Sequence, residues 1–313
     1  MLDIIKTDTI EPNVSRIVSL HPQQWPNQTA RTGFMAGFEP VYMENHETGR
    51  AQKISERIGR VVRRQDTGAA LGIVGNRYGI AQNPELFDMV KTAADDTLPA
   101  NAKQGVQLVE RSSHGGAFTR FELVFPELGQ TIKQLSGRST ELFFRIGVSN
   151  SFNGGGSILV RAGAYDQVCE NGLTVGQFER KTARHTTGFT PALFGGFIKR
   201  ELVAYHEKAR VYNEWARRAI SSDTAETTLK AAGLSDRRIA ALMAQFDVET
   251  QTRGATVWAL FSALTFYSSH NSERFGVRNS ANLDNVAETL EKRENEVTRI
   301  VSSDAWHRMA AAA

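Results

Sequence analysis

The stretch Leu142–Tyr165, LFFRIGVSNSFNGGGSILVRAGAY, decides the fold class. Phe144, Ile146 and Val148 alternate with Phe143, Arg145 and Gly147, the period of two that a strand with one buried face requires. Ser149 to Ser157 then carries three consecutive glycines at 154–156, which supply the positive φ angles of a hairpin connection. Ile158, Val160 and Ala162 alternate with Leu159 and Arg161 on the way back. Paired in even register, the two strands put Arg145 and Arg161 on one face. The glycines read as a turn rather than a phosphate cradle, because no GK[ST] ending follows and no helix opens there.

Working back from the hairpin, Phe118 to Phe125 alternates as a further strand that Pro126 ends. Asn83-Pro84 reads as a helix start, Asn as cap and Pro in the first turn, with Leu86, Phe87 and Val90 as the apolar side. Gly59 to Arg64, Ala70 to Gly75 and Asn76 to Gln82 read as three short strands, the first two joined by the turn Asp66-Thr67-Gly68. The first fifty residues are broken by Pro12, Pro22, Pro26 and Pro40 and suggest an arm with one short strand.

Forward of residue 196 the period becomes helical. Ile198, Leu202, Tyr205, Ala209, Tyr212, Ala216 and Ala219 form one apolar stripe on a long helix. A shorter helix follows and stops at Gly233; another, capped by Ser235, runs to about Phe246. Gly254 to His270 is strongly apolar, and Leu283 to Ile300 is a last helix before a tail expected to fray at Ala310–Ala313. The expected class is α+β: a curved antiparallel sheet with a packed helix in the N-terminal two-thirds, then a helical C-terminal third. The segments are an arm over 1–53, a core over 54–190 and a helical region over 191–313.

Composition sets the outer limits. Of 313 residues, 41% are hydrophobic and 23% charged, enough for a sizeable core. The N-terminus lacks a basic region followed by an apolar one, no stretch approaches a membrane span, and Cys169 is the single cysteine. These features point to the cytoplasm and a reducing compartment.

The search for chemistry excludes more than it finds. Cys169, His185, His206 and His270 show no metal-ligand spacing. There is no GxxxxGK[ST], no GxGxxG after a strand and no GxSxG, so no cofactor and no catalytic residue is assigned. Cys169, in Val168-Cys169-Glu170-Asn171-Gly172, reads as a buried thiol before an Asn-Gly turn rather than a nucleophile.

What remains is clustered charge. The net charge is +3 and the pI about 9.0, yet Arg50, Lys53, Arg57, Arg60, Arg63 and Arg64 face only Glu56 between residues 50 and 64. Arg77 and Tyr78 follow, and Arg180, Lys181, Arg184 and His185 form a second group beside Glu179. Cations next to flat side chains suit single-stranded nucleic acid, while ion pairing on a solvated sheet is the alternative.

Several blocks resemble a family carried by phages, prophages and plasmids, the phage/plasmid-like proteins of domain of unknown function 932. They are Asp66-Thr67-Gly68 with Leu71-Gly72-Ile73-Val74-Gly75-Asn76-Arg77-Tyr78 and Gln82-Asn83, and Val148-Ser149-Asn150-Ser151-Phe152-Asn153-Gly154 with Val168-Cys169-Glu170-Asn171-Gly172-Leu173. Arg184-His185-Thr186 and Gly254-Ala255-Thr256-Val257-Trp258 with Thr265 and His270 complete the set, over roughly residues 55–275. The run Gly154–Gly156 and Glu170 depart from the family pattern. The resemblance implies mobile elements and nearby replication or recombination functions. A looser likeness of plan, to single-strand annealing proteins, implies rings or filaments that pair strands without ATP.

The expected function is therefore single-stranded DNA binding and annealing by a homo-oligomeric ring or filament, with no membrane contact. Arg60, Arg63, Arg64, Arg77, Arg145, Arg161, Lys181 and Arg184 would hold phosphates, and Tyr78 and His185 would stack on bases. The rivals are a protein-interaction factor directed at host defence or restriction, and a metal-dependent nuclease.

Overall fold

In the computed structural model, which describes residues 16–19, 33–166, 180–269 and 286–311, the hairpin sits inside the largest sheet. The N-terminal elements are β1 (Arg16–Ser19), β2 (Ala36–Pro40), β3 (Tyr42–Asn45), β4 (Arg50–Lys53), β5 (Arg60–Arg64), β6 (Ala70–Val74) and α1 (Asn83–Thr97). Four long or central strands and an edge follow: β7 (Gln107–Ser113), β8 (Phe118–Lys133), β9 (Ser139–Ser151), β10 (Ile158–Asp166) and β11 (Arg180–Ala183). The helices α2 (Gly195–Arg217), α3 (Ser222–Ala231), α4 (Asp236–Arg253), α5 (Val257–Ser269), α6 (Val286–Val301) and α7 (Asp304–Ala311) close the chain. The class is α+β, strands first and helices after.

The main sheet is antiparallel in the order β1-β7-β8-β9-β10-β11; β2-β5-β6 and β3-β4 form two small sheets. Its two faces differ in chemistry. One carries Phe121, Leu123, Phe125, Phe144, Ile146, Val148, Ile158 and Val160, all buried in one core with Leu86 and Val90 of α1 and Ile198 and Leu202 of α2. Trp258 and Phe261 of α5 are fully buried in the same core. At ~1.5–3 kcal/mol for each such side chain, this face holds the sheet to the helices. The other face is polar, and α6 lies across it.

Local signals account for several boundaries. Ser221 caps α3 by accepting a hydrogen bond from the Thr224 backbone N–H at 3.1 Å. Gly233, at φ +80°, ends the segment after α3, and the Leu234 N–H reaches back to the Leu229 carbonyl. In the hairpin, Leu159 pairs with Ser149 and Gly163 with Arg145, so Arg145 and Arg161 do share a face.

Elsewhere the structure departs from expectation. The arm holds β1, β2, β3 and β4, not one short strand, and β1 pairs with β7 at the main sheet's edge. Asn76–Gln82 is not a strand: the Arg60 guanidinium donates to the carbonyls of Asn76 and Tyr78, replacing ladder bonds. Asn83 is not the cap of α1, which is Gln82; the Asn83 side chain is buried and accepts from Thr119 Oγ1 and Asn150 Nδ2. Pro126 does not end its strand, because the register shifts between Phe125 and Gln130, and β8 resumes beyond. Helix α4 continues past Phe246 to Arg253, whose guanidinium bonds Glu249 one turn back. The tail forms α7, anchored by the fully buried Trp306. The readings of Cys169 and His270, of the last helix's start at Leu283, and of Ala312 and Ala313 in the tail expected to fray lie outside the described residues.

Candidate functional site

The polar face of the main sheet draws one arginine from each of five successive strands: Arg111, Arg120, Arg145, Arg161 and Arg180. Arg111 lies opposite Arg120, and Arg161 lies opposite Arg180; Gly147, opposite both Arg161 and Glu122, links the pairs to the row of Glu122. This face is closed by α6. Glu294 accepts from Arg120 Nη1 at 2.6 Å and Nη2 at 2.8 Å, from Arg145 Nη2 at 3.0 Å and from Arg161 Nη1 at 2.7 Å. Glu122 accepts from Arg120, from Arg145 at 2.9 Å and from Arg111 at 3.2 Å. Asn295 accepts from Arg161 and Arg180.

Burial makes these pairs obligatory. Arg120, Arg145, Arg161, Glu122 and Glu294 are all buried, and an unpaired charge there would be far costlier than a paired one. Burial alone would push the Glu122 carboxyl up, but Arg120, Arg145 and Arg111 outweigh it and hold it down at about 2. Glu294 is held well below the usual range against the same burial by Arg120, Arg145 and Arg161. Arg145 and Arg161 therefore bind carboxylates inside the protein and offer nothing to a nucleotide strand. Glu122 and Glu294 were not singled out from the sequence. The available signal was Glu294 itself, an acid in line with Leu290 and Val297 on an otherwise apolar helix stripe.

Half of the first basic group is paired with carboxylates too. Arg63 Nε donates to Glu39 at 2.6 Å, and Arg64 makes two bonds to the Asp66 carboxylate while lying over the Phe34 ring at 4.0 Å. Arg60 lies over Phe38 at 3.6 Å and fixes the loop that carries Arg77 and Tyr78. Lys53 pairs with Glu56, whereas Arg50 and Arg57 are exposed.

Three predicted residues do converge. Tyr78, Arg184 and His185 line an open cleft of about 310 Å³ with Gly154, Gly155, Gly156 and Ser157. The Tyr78 and His185 rings stack at 4.8 Å with 14° between planes. The Tyr78 hydroxyl donates to the Ser151 carbonyl, and burial pushes its pKa up. Burial also lowers His185 to about 4, only partly offset by the Gly79 backbone, so the imidazole is neutral near pH 7. Arg184 is exposed at the cleft; Arg77, next to Tyr78 in the chain, is exposed, and on β11 Arg180 and Lys181 are exposed too. Lys181 Nζ donates to the Leu193 carbonyl at 2.5 Å.

Glycine makes the cleft possible at two crossings. A Cβ on Gly79 would lie 2.2 Å from the Thr186 carbonyl oxygen, and one on Gly72 would lie 2.6 Å from the Asn153 Cα. The Tyr78 loop and the glycine wall therefore meet their neighbours backbone to backbone.

A family model described as a domain of unknown function, DUF932, matches residues 70–305. The chain belongs to the DUF932 family. Comparison with curated proteins and with solved structures gives no match. The DUF932 segment contains the whole cleft and the whole arginine–glutamate network, and leaves Arg60, Arg63 and Arg64 outside it. Among the described residues of this DUF932 chain, no three His, Cys, Asp or Glu side chains group to hold a metal ion. No helix among them is long and apolar enough to cross a membrane.

Proposed function

We propose that this DUF932 protein binds single-stranded DNA at the cleft and promotes pairing of complementary strands without ATP. It would act as a homo-oligomer in the cytoplasm of a bacterial host, in recombination or replication of a phage or plasmid. The observation that carries the reading is the Tyr78–His185 stack beside exposed Arg184 in a cleft walled by three glycines. Cations at a rim meet phosphates, and a flat, side-chain-free wall admits a base. Exposed Tyr42, Met43, Ile58 and Ile73 on and beside the small sheets support contact between copies.

The test is binding of a labelled single-stranded oligonucleotide, with light scattering for the mass of the particle. If Arg77, Arg180, Lys181 and Arg184 supply three or four phosphate contacts, log affinity falls against log salt with a slope of about −2 to −3. Between about 50 and 200 mM salt, affinity then drops roughly twenty- to fiftyfold. No binding at low salt, or binding indifferent to salt, rejects the reading. Capture of one host protein by a chain without DNA affinity would favour an interaction factor, and Mg²⁺-dependent cleavage a nuclease.

A further inference from the structure

The ribbon β3–β4 stands in solvent on both faces. Every strand residue in it except Asn45 is exposed, with Tyr42 at 59% and Met43 at 60%. A two-stranded ribbon by itself is only marginally stable in water, and large exposed apolar side chains mark a contact surface. Glu44 and Glu47 offset Arg50 and Lys53, so the ribbon has no net charge and suits a protein partner better than phosphates.

Its backbone shows where that partner joins. The Ile54 N–H donates to the Val41 carbonyl at 2.9 Å, and Tyr42, Met43 and Glu44 lie opposite Lys53, Gln52 and Ala51. Bonded and unbonded pairs alternate in an antiparallel ladder. Val41, Met43 and Asn45 therefore bond inward to β4, and the N–H and C=O of Tyr42 and Glu44 point away from it. Among the described residues these outward groups have no hydrogen-bond partner. On β2, by contrast, Gln82 closes the edge by accepting from the Ala36 N–H at 3.0 Å and donating to the Ala36 carbonyl at 2.8 Å. The outer edge of β4 carries Arg50 and Lys53, cations that discourage strand addition. Only β3 combines an open edge with large apolar side chains.

A second β3 fits that edge in one register. Centred on Tyr42, a two-fold pairing sets Glu44 against Pro40, which has no N–H to give. Centred on Glu44, it sets two carboxylates face to face. Centred on Met43, it makes Tyr42 and Glu44 of opposite copies bonded pairs and brings Met43 against its own copy.

We propose that two copies of this chain join β3 to β3 across a two-fold axis at Met43, so that the two ribbons become one four-stranded antiparallel sheet. This contact rests on the homo-oligomer reading above and gives it a defined surface. An isologous contact closes on itself, so β3 builds a dimer, and a larger particle repeats that dimer through other surfaces. Such short strands bury little area, which places the contact in the weak class below ~1,200 Å² and makes it concentration-dependent.

The experiment combines sedimentation velocity of the full chain over a concentration series with cysteine cross-linking in a Cys169→Ser background. In this register the two copies of position 43 form an unbonded pair with Cα atoms ~4.5 Å apart, within disulfide reach. The two copies of position 42 are diagonal neighbours about 8 Å apart, beyond it. With diamide as oxidant, Met43→Cys should run as a covalent dimer on a non-reducing gel, and Tyr42→Cys should link at least about tenfold less. Glu44→Pro removes an N–H that bonds nothing within the ribbon, so the melting temperature should hold while the dimer weakens about tenfold, the loss being repeated across the axis. A wild type of single-chain mass at every concentration removes the homo-oligomer reading itself. An oligomer in which Met43→Cys links no better than Tyr42→Cys, or in which folded Glu44→Pro associates like the wild type, overturns the β3 contact alone.

Discussion

Replacing Glu294 with Gln tests whether the arginine face is structural. The substitution keeps the side chain's size and removes the charge that four guanidinium N–H groups share at 2.6, 2.8, 3.0 and 2.7 Å. Arg120, Arg145 and Arg161, each no more than 5% exposed, would then crowd around Glu122. Breaking a buried ion pair from one side costs ~3–5 kcal/mol. That is a large fraction of the ~5–15 kcal/mol that holds a typical protein folded. At an unfolding entropy of ~2.1 cal/mol/K per residue, a chain of this length should lose about 6 °C in melting temperature. Trp215, Trp258 and Trp306 pack together in the helical core, so their fluorescence reports the transition in heat or urea. Arg145→Met should destabilise similarly, and the two changes together should cost at least ~1 kcal/mol less than their sum. A shift under about 2 °C, or strict additivity, would refute the account of α6 as fastened through Glu294. Oligonucleotide affinity should not change in either variant that remains folded, because neither residue reaches the cleft.

Acid should unfold the protein in two windows with the same sign. His185 is held near 4 and the unfolded side chain near 6.5, so the unfolded state binds the extra proton and stability falls as pH drops between these values. Glu122 is depressed to about 2, so its contribution is complete above about pH 5 and is lost as pH falls toward 2. Urea midpoints measured from pH 7.5 to 2.5 should show both slopes, and His185→Phe should abolish the upper one alone. Gly79→Ala forces a Cβ within 2.2 Å of a backbone oxygen, so the loop must shift; the variant should lose the Tyr78–His185 stack and at least ~1–3 kcal/mol of stability, read by melting and by oligonucleotide affinity.

The sequence made visible whatever was local. The alternation through residues 142–165 specified a hairpin whose register the structure reproduces, because flipping it by one would bury Arg145 among phenylalanines. The stripe read from Ile198 to Ala219 likewise specified α2, which stops two residues short of it at Arg217, while Ala219 bridges Thr256 instead. The readings that failed depended on partners far along the chain. Pro126 looked terminal, but a bulge between β8 and β9 absorbs it. The tail looked weak, but Trp306 inserts against Trp215 and Phe261, some ninety and forty-five positions earlier. The cleft was half legible: Tyr78 and His185 were each chosen for their chemistry, yet no local pattern says that Gly79 will let their segments touch.

Charge was the least legible property, for a reason that sharpens the functional reading. Six bases against one acid in residues 50–64 suggested a free cationic surface, but the window was drawn along the chain while ion pairs form across a sheet. Glu39 lies on the neighbouring strand β2, and Asp66 just past the end of β5, so two of those arginines were paired by residues outside the count. Glu294, more than 130 positions from Arg161, did the same for the hairpin. A cation can hold a phosphate only where the fold has not already given it a carboxylate. By that criterion the large arginine face is excluded and the smaller cleft is retained, with Arg184 exposed beside a stacked pair of rings. Affinity should therefore follow the few exposed cations that lack a carboxylate partner, not the total of arginines in the chain.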